Sequence, residues 1–149
     1  MNAATGNQIG ANDFRLSDMG PDGDVNYQAT VPAVAYSSRD NEYLVVWSGD
    51  DNSGALADGE YEIFGQRVDA ATGAESESDF RLSDMGPDGQ PVYDAREMAL
   101  AYNSGGNQYL VVWSGDDDTP PLVNDESEIF GQRFTASFRL YLPLVMRAY

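Results

Sequence analysis

The side chains of this chain that could do chemistry are carboxylates, and they fall in two kinds of loop, each present twice. The first loop, residues 18–24, carries Asp18 and Asp22 and recurs at residues 84–90 with Asp84 and Asp88. Acids spaced along a loop that Pro and Gly turn can converge with main-chain carbonyls on one hard cation, which is the chemistry of a calcium site. The spacing is not that of an EF-hand, because neither the D-x-[DN]-x-[DN]-G run nor its closing glutamate is present. The second loop follows a tryptophan-ended apolar run and carries Asp50, Asp51, Glu60 and Glu62, matched by Asp116, Asp117, Glu126 and Glu128. Four carboxylates at the mouth of one hairpin repel one another unless solvent or a cation intervenes, so this loop is the stronger calcium candidate. Two other roles suit the same residues. Asp50, Asp51 and their copies can form turns through Asx hydrogen bonds. Glu62 and Glu128 can pair across strands with Arg15, Arg67, Arg81 or Arg133.

Composition narrows the alternatives. With 25 acidic against 8 basic residues the formal charge is −17, which repels phosphate backbones and anionic lipid surfaces, so nucleic acid is not an expected partner. The chain has no cysteine and no histidine. That excludes disulfides, thiolate zinc sites, the usual Ser-His-Asp triad and the histidine zinc hydrolases. A pair of acids could still serve as a glycosidase acid and base, but an active site is usually single whereas these acids come in matched sets. Trp47 and Trp113, with Tyr36, Tyr43, Tyr102 and Tyr109, offer a sugar-stacking face. Their position inside apolar runs favours core packing instead. No run approaches the roughly 20 apolar residues of a membrane span, so no membrane insertion is expected. No basic-then-apolar signal sequence precedes the repeats, which does not argue for a cytoplasmic home.

The elements that must position these acids are repeated with them. Residues 13–23 read DFRLSDMGPDG and recur unchanged at 79–89, a shift of 66 positions. At the same shift YLVVWSGDD at 43–51 falls on 109–117, and EIFGQR at 62–67 falls on 128–133. A period of this length marks one supersecondary unit that needs neighbours to bury its faces. Each unit offers four strand-like runs, which in the first copy are residues 14–17, 32–36, 43–47 and 62–68. The run 43–47 is apolar on both faces and is expected to be a central strand covered on both sides. Residues 37–42 suit a hairpin loop and 69–73 a turn. Helix signals are nearly absent. The expected fold is all-β: two tandem four-stranded antiparallel blade-like repeats, β-propeller-like and completed by self-assembly. The expected division is an N-terminal leader at 1–12, β repeat 1 at 13–78, β repeat 2 at 79–137 and an apolar C-terminal strand or tail at 138–149.

The ends are out of register with the repeat. Residues 2–6 (NAATG) mirror 69–73 (DAATG), and 138–140 begin a third Phe-Arg-Leu run that continues into YLPLVM rather than an acidic loop. An apolar strand without a partner in its own register is a template for joining another chain, although Pro143 limits its ladder. The combination of YLVVWSGDD, EIFGQR, a Gly-containing turn and DFRLSDMGPDG resembles bacterial secreted repeat proteins built from propeller-like blades. The resemblance covers nearly all of residues 13–137, and residues 141–147 resemble short C-terminal segments of some bacterial surface proteins. It implies an extracellular or cell-surface, calcium-loaded protein without established catalysis. The expected function is a non-enzymatic structural protein that self-assembles into a filament or ring by strand exchange at its ends. The alternative is a calcium-dependent glycan- or protein-binding module.

Overall fold

Strand formation follows the apolar runs. In the computed structural model, which describes residues 13–52, 54–117 and 119–136, the chain is all-β with no helix among the described residues. Two antiparallel sheets form. The first has the order β1 (Ala29–Ser37), β2 (Glu42–Asp50), β3 (Tyr61–Asp69) and β4 (Glu75–Arg81). The second has the order β5 (Ala95–Asn103), β6 (Gln108–Gly115) and β7 (Glu128–Thr135). The run 43–47 is the heart of β2, hydrogen-bonded on both sides by β1 and β3, and its copy occupies the same place in β6.

Turn chemistry is local. Asn41 and Asn107 take left-handed φ values of 54° and 49° in the two hairpin loops, a conformation asparagine tolerates. The Asp69 carboxylate accepts the N–H groups of Ala71 and Thr72 at 3.0 and 2.9 Å, and Gly73 completes the β3–β4 turn at φ 74°. Equivalent bulges interrupt β1 between Thr30 and Ala33 and β5 between Arg96 and Ala99.

The repeat and the sheet are out of phase. Residues 79–81, which open the second copy, close the first sheet, with Phe80 opposite Gly65 and Arg81 opposite Phe64. The same letters recur at 13–15, yet the run 14–17, expected to be a strand, forms none. The second sheet has three strands rather than the expected four among the described residues, and the third Phe-Arg-Leu run at 138–140 lies outside them.

The sheets stack face on face. Alternate residues of a strand point to opposite faces. In the first sheet Leu44, Val46 and Ile63 point toward the second, and they join one core with Tyr109, Val111 and Trp113 of β6 and with Ala95 and Met98 of β5. Ser48 Oγ donates to Ala95 O across the junction at 2.8 Å, and Phe80 stacks on Phe134 at 5.0 Å. The opposite face of the first sheet carries a separate cluster of Trp47, Leu56 and Phe64, with Met19 packed on it. No described helix is long and apolar enough to cross a membrane.

The loops at 18–23 and 84–89 are lids of one design. Met19 lies over Gly49 with its sulfur 3.5 Å from Trp47 Nε1, and Met85 lies over Gly115 with its sulfur 3.3 Å from Trp113 Nε1. Gly20 and Gly86 turn at φ 58° and 61°, and a Cβ on either would overlap the ring of Tyr27 or Tyr93. Gly23 has a similar left-handed φ of 89° but open space around it. Gly86→Ala is therefore expected to destabilise by about 3 kcal/mol or more, since overlap adds to the backbone penalty. Gly23→Ala should cost only the backbone part, about 1 kcal/mol. Urea unfolding of the two variants checks the ordering.

Candidate functional site

Glu60 immediately precedes β3 and Glu62 is its second residue; both lie against the sheet junction with no solvent exposure. Their partners are in the lid of the second copy. Glu62 Oε1 accepts the Met85 N–H at 2.8 Å, Glu62 Oε2 accepts the Ser83 hydroxyl, and Arg81 Nη2 stands 3.4 Å from Oε1. Ser83 Oγ in turn accepts the Ile63 N–H, and Ile63 O accepts the Leu82 N–H at 2.6 Å. Glu60 Oε2 accepts the N–H groups of Gly89 and Ala57 at 2.8 and 2.9 Å. These two carboxylates thus hold both ends of the 84–89 lid against the first sheet. Burial nevertheless outweighs the donors and pushes the Glu62 carboxyl above its ordinary range.

The remaining candidate acids serve other donors. Asp50 Oδ2 accepts the Gly59 N–H at 2.8 Å, and Asp116 Oδ2 accepts the Asp125 N–H at 2.8 Å in the corresponding place. Burial raises the Asp50 carboxyl as well. Asp51 Oδ1 accepts the N–H groups of Gly20 and Asn52 at 3.0 and 2.8 Å, tying down the first lid. Asp117 Oδ1 accepts the N–H and hydroxyl of Thr119 at 3.1 and 3.0 Å. Asp18 and Asp22 pair with Arg15, and Asp84 and Asp88 with Arg81, so the acids of each lid turn toward the arginine that precedes it. Glu126 accepts the Val123 N–H at 3.2 Å, and Glu126 and Glu128 are exposed.

The structure therefore brings Glu60 and Glu62 together on one lid and separates them from Asp18 and Asp22. Among the described residues no group of three or more acids converges to hold an ion. The buried second oxygens of Asp50, Glu60 and Asp116 have no hydrogen-bond partner among those residues. Trp47 and Trp113 are buried under the lids, in line with core packing. Sequence reasoning missed Ser83 and the lid amides as the groups these acids meet. The one available signal was that Ser17 and Ser83 recur at the same place before each lid.

Compared with known proteins, the chain matches no family model, no curated protein and no solved structure.

Proposed function

We propose that this is a non-enzymatic, extracellular structural protein whose blade-like sheets stack across molecules as they stack within one, joining copies head to tail. One observation carries the reading: each outer face exposes the counterparts of side chains that the inner junction buries. Leu44 is 0% exposed and its copy Leu110 is 45% exposed; Ile63 is 0% exposed and Ile129 is 73% exposed. On the far side, Val34, Tyr36 and Tyr43 are exposed, whereas their copies Leu100, Tyr102 and Tyr109 pack into the shared core. Two different faces that fit each other make a heterologous contact, which closes into a ring if the rotation allows and otherwise grows a filament.

The tail and calcium have places in this reading. β3 has β4 on its outer edge, while β7 has no strand there among the described residues, so its edge can take a strand from a neighbour. Residues 138–146 are the strand proposed for it. Calcium is the ion proposed for the hairpin mouth, on the support of the buried, donorless oxygens of Asp50 and Glu60. Sedimentation velocity of the full chain at two concentrations, in calcium and in excess chelator, tests both. Assemblies that grow with concentration and shrink in chelator are expected. A monomer throughout overturns self-assembly; assembly indifferent to chelator removes calcium alone. Deleting residues 138–149 should abolish assembly, and an unchanged oligomer after deletion would remove the tail from the mechanism.

A further inference from the structure

The inner junction is a template for the outer one. At the junction Ile63 enters a core bounded by Ala95, Met98, Val111 and Trp113, with Leu82 packed against it. Glu60 and Glu62 hold the 84–89 lid beside it, and Ser48 reaches Ala95 O. Each part of this arrangement, except Met98 where Pro32 stands instead, has a copy on an outer face. On one face stand Ile129, Glu126, Glu128 and Ser114. The opposite face has an open, mainly apolar cavity of about 260 Å³ whose lining includes Leu16, Ser17, Ala29, Pro32, Val45 and Trp47. These six are the counterparts, 66 positions earlier, of Leu82, Ser83, Ala95, Met98, Val111 and Trp113. The lid beside the cavity has the conformation of its copy: Gly20 and Gly86 agree in φ within a few degrees, as do Gly23 and Gly89, and each methionine sits on its tryptophan.

Resting on the self-assembly reading, we infer that the cavity beside the first lid is a docking site for Ile129 of a second copy of this chain, whose Glu126 and Glu128 clamp that lid. By the template, Glu128 accepts the Ser17 hydroxyl and the Met19 N–H, Glu126 accepts the Gly23 N–H, and Ser114 donates to Ala29 O. No carboxylate among the described residues takes those three lid donors within one molecule. Several inner contacts have no outer equivalent: Phe80 stacks on Phe134, whose counterpart is Val68, and Asn107 donates to Asp40, whose counterpart is Gly106. Arg96 lies over the Tyr61 ring at 4.0 Å, but their counterparts are Thr30 and Ser127, so the outer contact is the weaker of the two. Copies of net charge −17 also repel at long range, so docking tightens as salt rises and screens them.

The test uses two full-length variants, each damaging one face where the side chain is exposed in the single molecule. Ile129→Asp spoils the plug and Ala29→Arg fills the socket; circular dichroism should show both folded. Each alone should sediment as a monomer, and an equimolar mixture should form a dimer and stop there, because one good face remains on each partner. Glu128→Gln should weaken association about 10- to 100-fold, as expected for lost hydrogen bonds to a charged acceptor. Wild-type assembly that persists unchanged in both variants would overturn the docking site while leaving self-assembly to the tail. A wild-type monomer at all concentrations and salt levels would overturn the reading on which it rests. A mixture that stays monomeric when wild type assembles would overturn the plug-and-socket pairing.

Discussion

Ile63→Ala is expected to lower the unfolding free energy by about 2–5 kcal/mol, the range for truncating a fully buried aliphatic side chain. Ile129→Ala, at concentrations where the chain is monomeric, should change it by less than about 0.5 kcal/mol. The two residues are the same type, follow the same glutamate and begin the same EIFGQR run. Any propensity for strand, or any effect on the unfolded chain, is nearly common to both. What differs is the face they meet. Ile63 is covered by Met85, Trp113 and the β5 residues of the second sheet, whereas Ile129 is exposed. Because the shared core spans both sheets, the Ile63 loss should appear as a shift of one cooperative urea transition rather than as a separate early one. Equal costs at the two sites would mean that the sheets do not stack as described. That result would also remove the template on which the outer docking contact is built.

The strands and their pairing were legible because residues 43–47 and 109–113 are apolar runs that sit inside their sheets, but the expected cover on both faces is incomplete, since Tyr43 and Leu110 are exposed. The turn at 69–73 was legible because its aspartate and glycine have few other uses. The phase of the sheets was not. Phe-x-Leu alternation marks a strand but does not say which strand it joins, and residues 79–81 find theirs in the preceding EIFGQR run. Where no such run lies beside them, at 14–17, the same residues stay out of any sheet. The acids were read as a set that repels itself and calls for a cation. Every lid residue except proline carries an N–H, and that donor leaves no mark in the sequence, so the amides of Met85, Gly89 and Gly20 could not be matched to Glu62, Glu60 and Asp51 in advance.

Glu62→Gln should destabilise the chain by about 1–3 kcal/mol near pH 5, because the amide brings two N–H hydrogens where the carboxyl carries at most one proton, in a pocket of donors. The amide nitrogen would face the Met85 N–H or Arg81, which cannot accept, or Ser83 Oγ, which already accepts the Ile63 N–H. The pH dependence separates this from simple packing loss. The folded Glu62 carboxyl lies above its ordinary value of 4.5, with burial as the largest cause. The folded state therefore holds this proton more tightly than the unfolded chain does. Its contribution to stability is full below pH 4.5 and falls as pH rises through the raised folded value, since the unfolded chain ionises first. Asp50, raised from 3.8 by burial, acts in the same direction. Wild-type unfolding free energy should decline as pH is raised above 4.5, and Glu62→Gln should flatten that decline. The gap between the two proteins should narrow toward alkaline pH. Glu128→Gln, exposed at the matching position, should leave the slope of the monomer unchanged. Chemical unfolding of all three proteins across that range distinguishes the outcomes. A decline equally steep in wild type and Glu62→Gln would mean that surface repulsion among the 25 acids as they ionise, not the buried clamp, sets the loss of stability with rising pH.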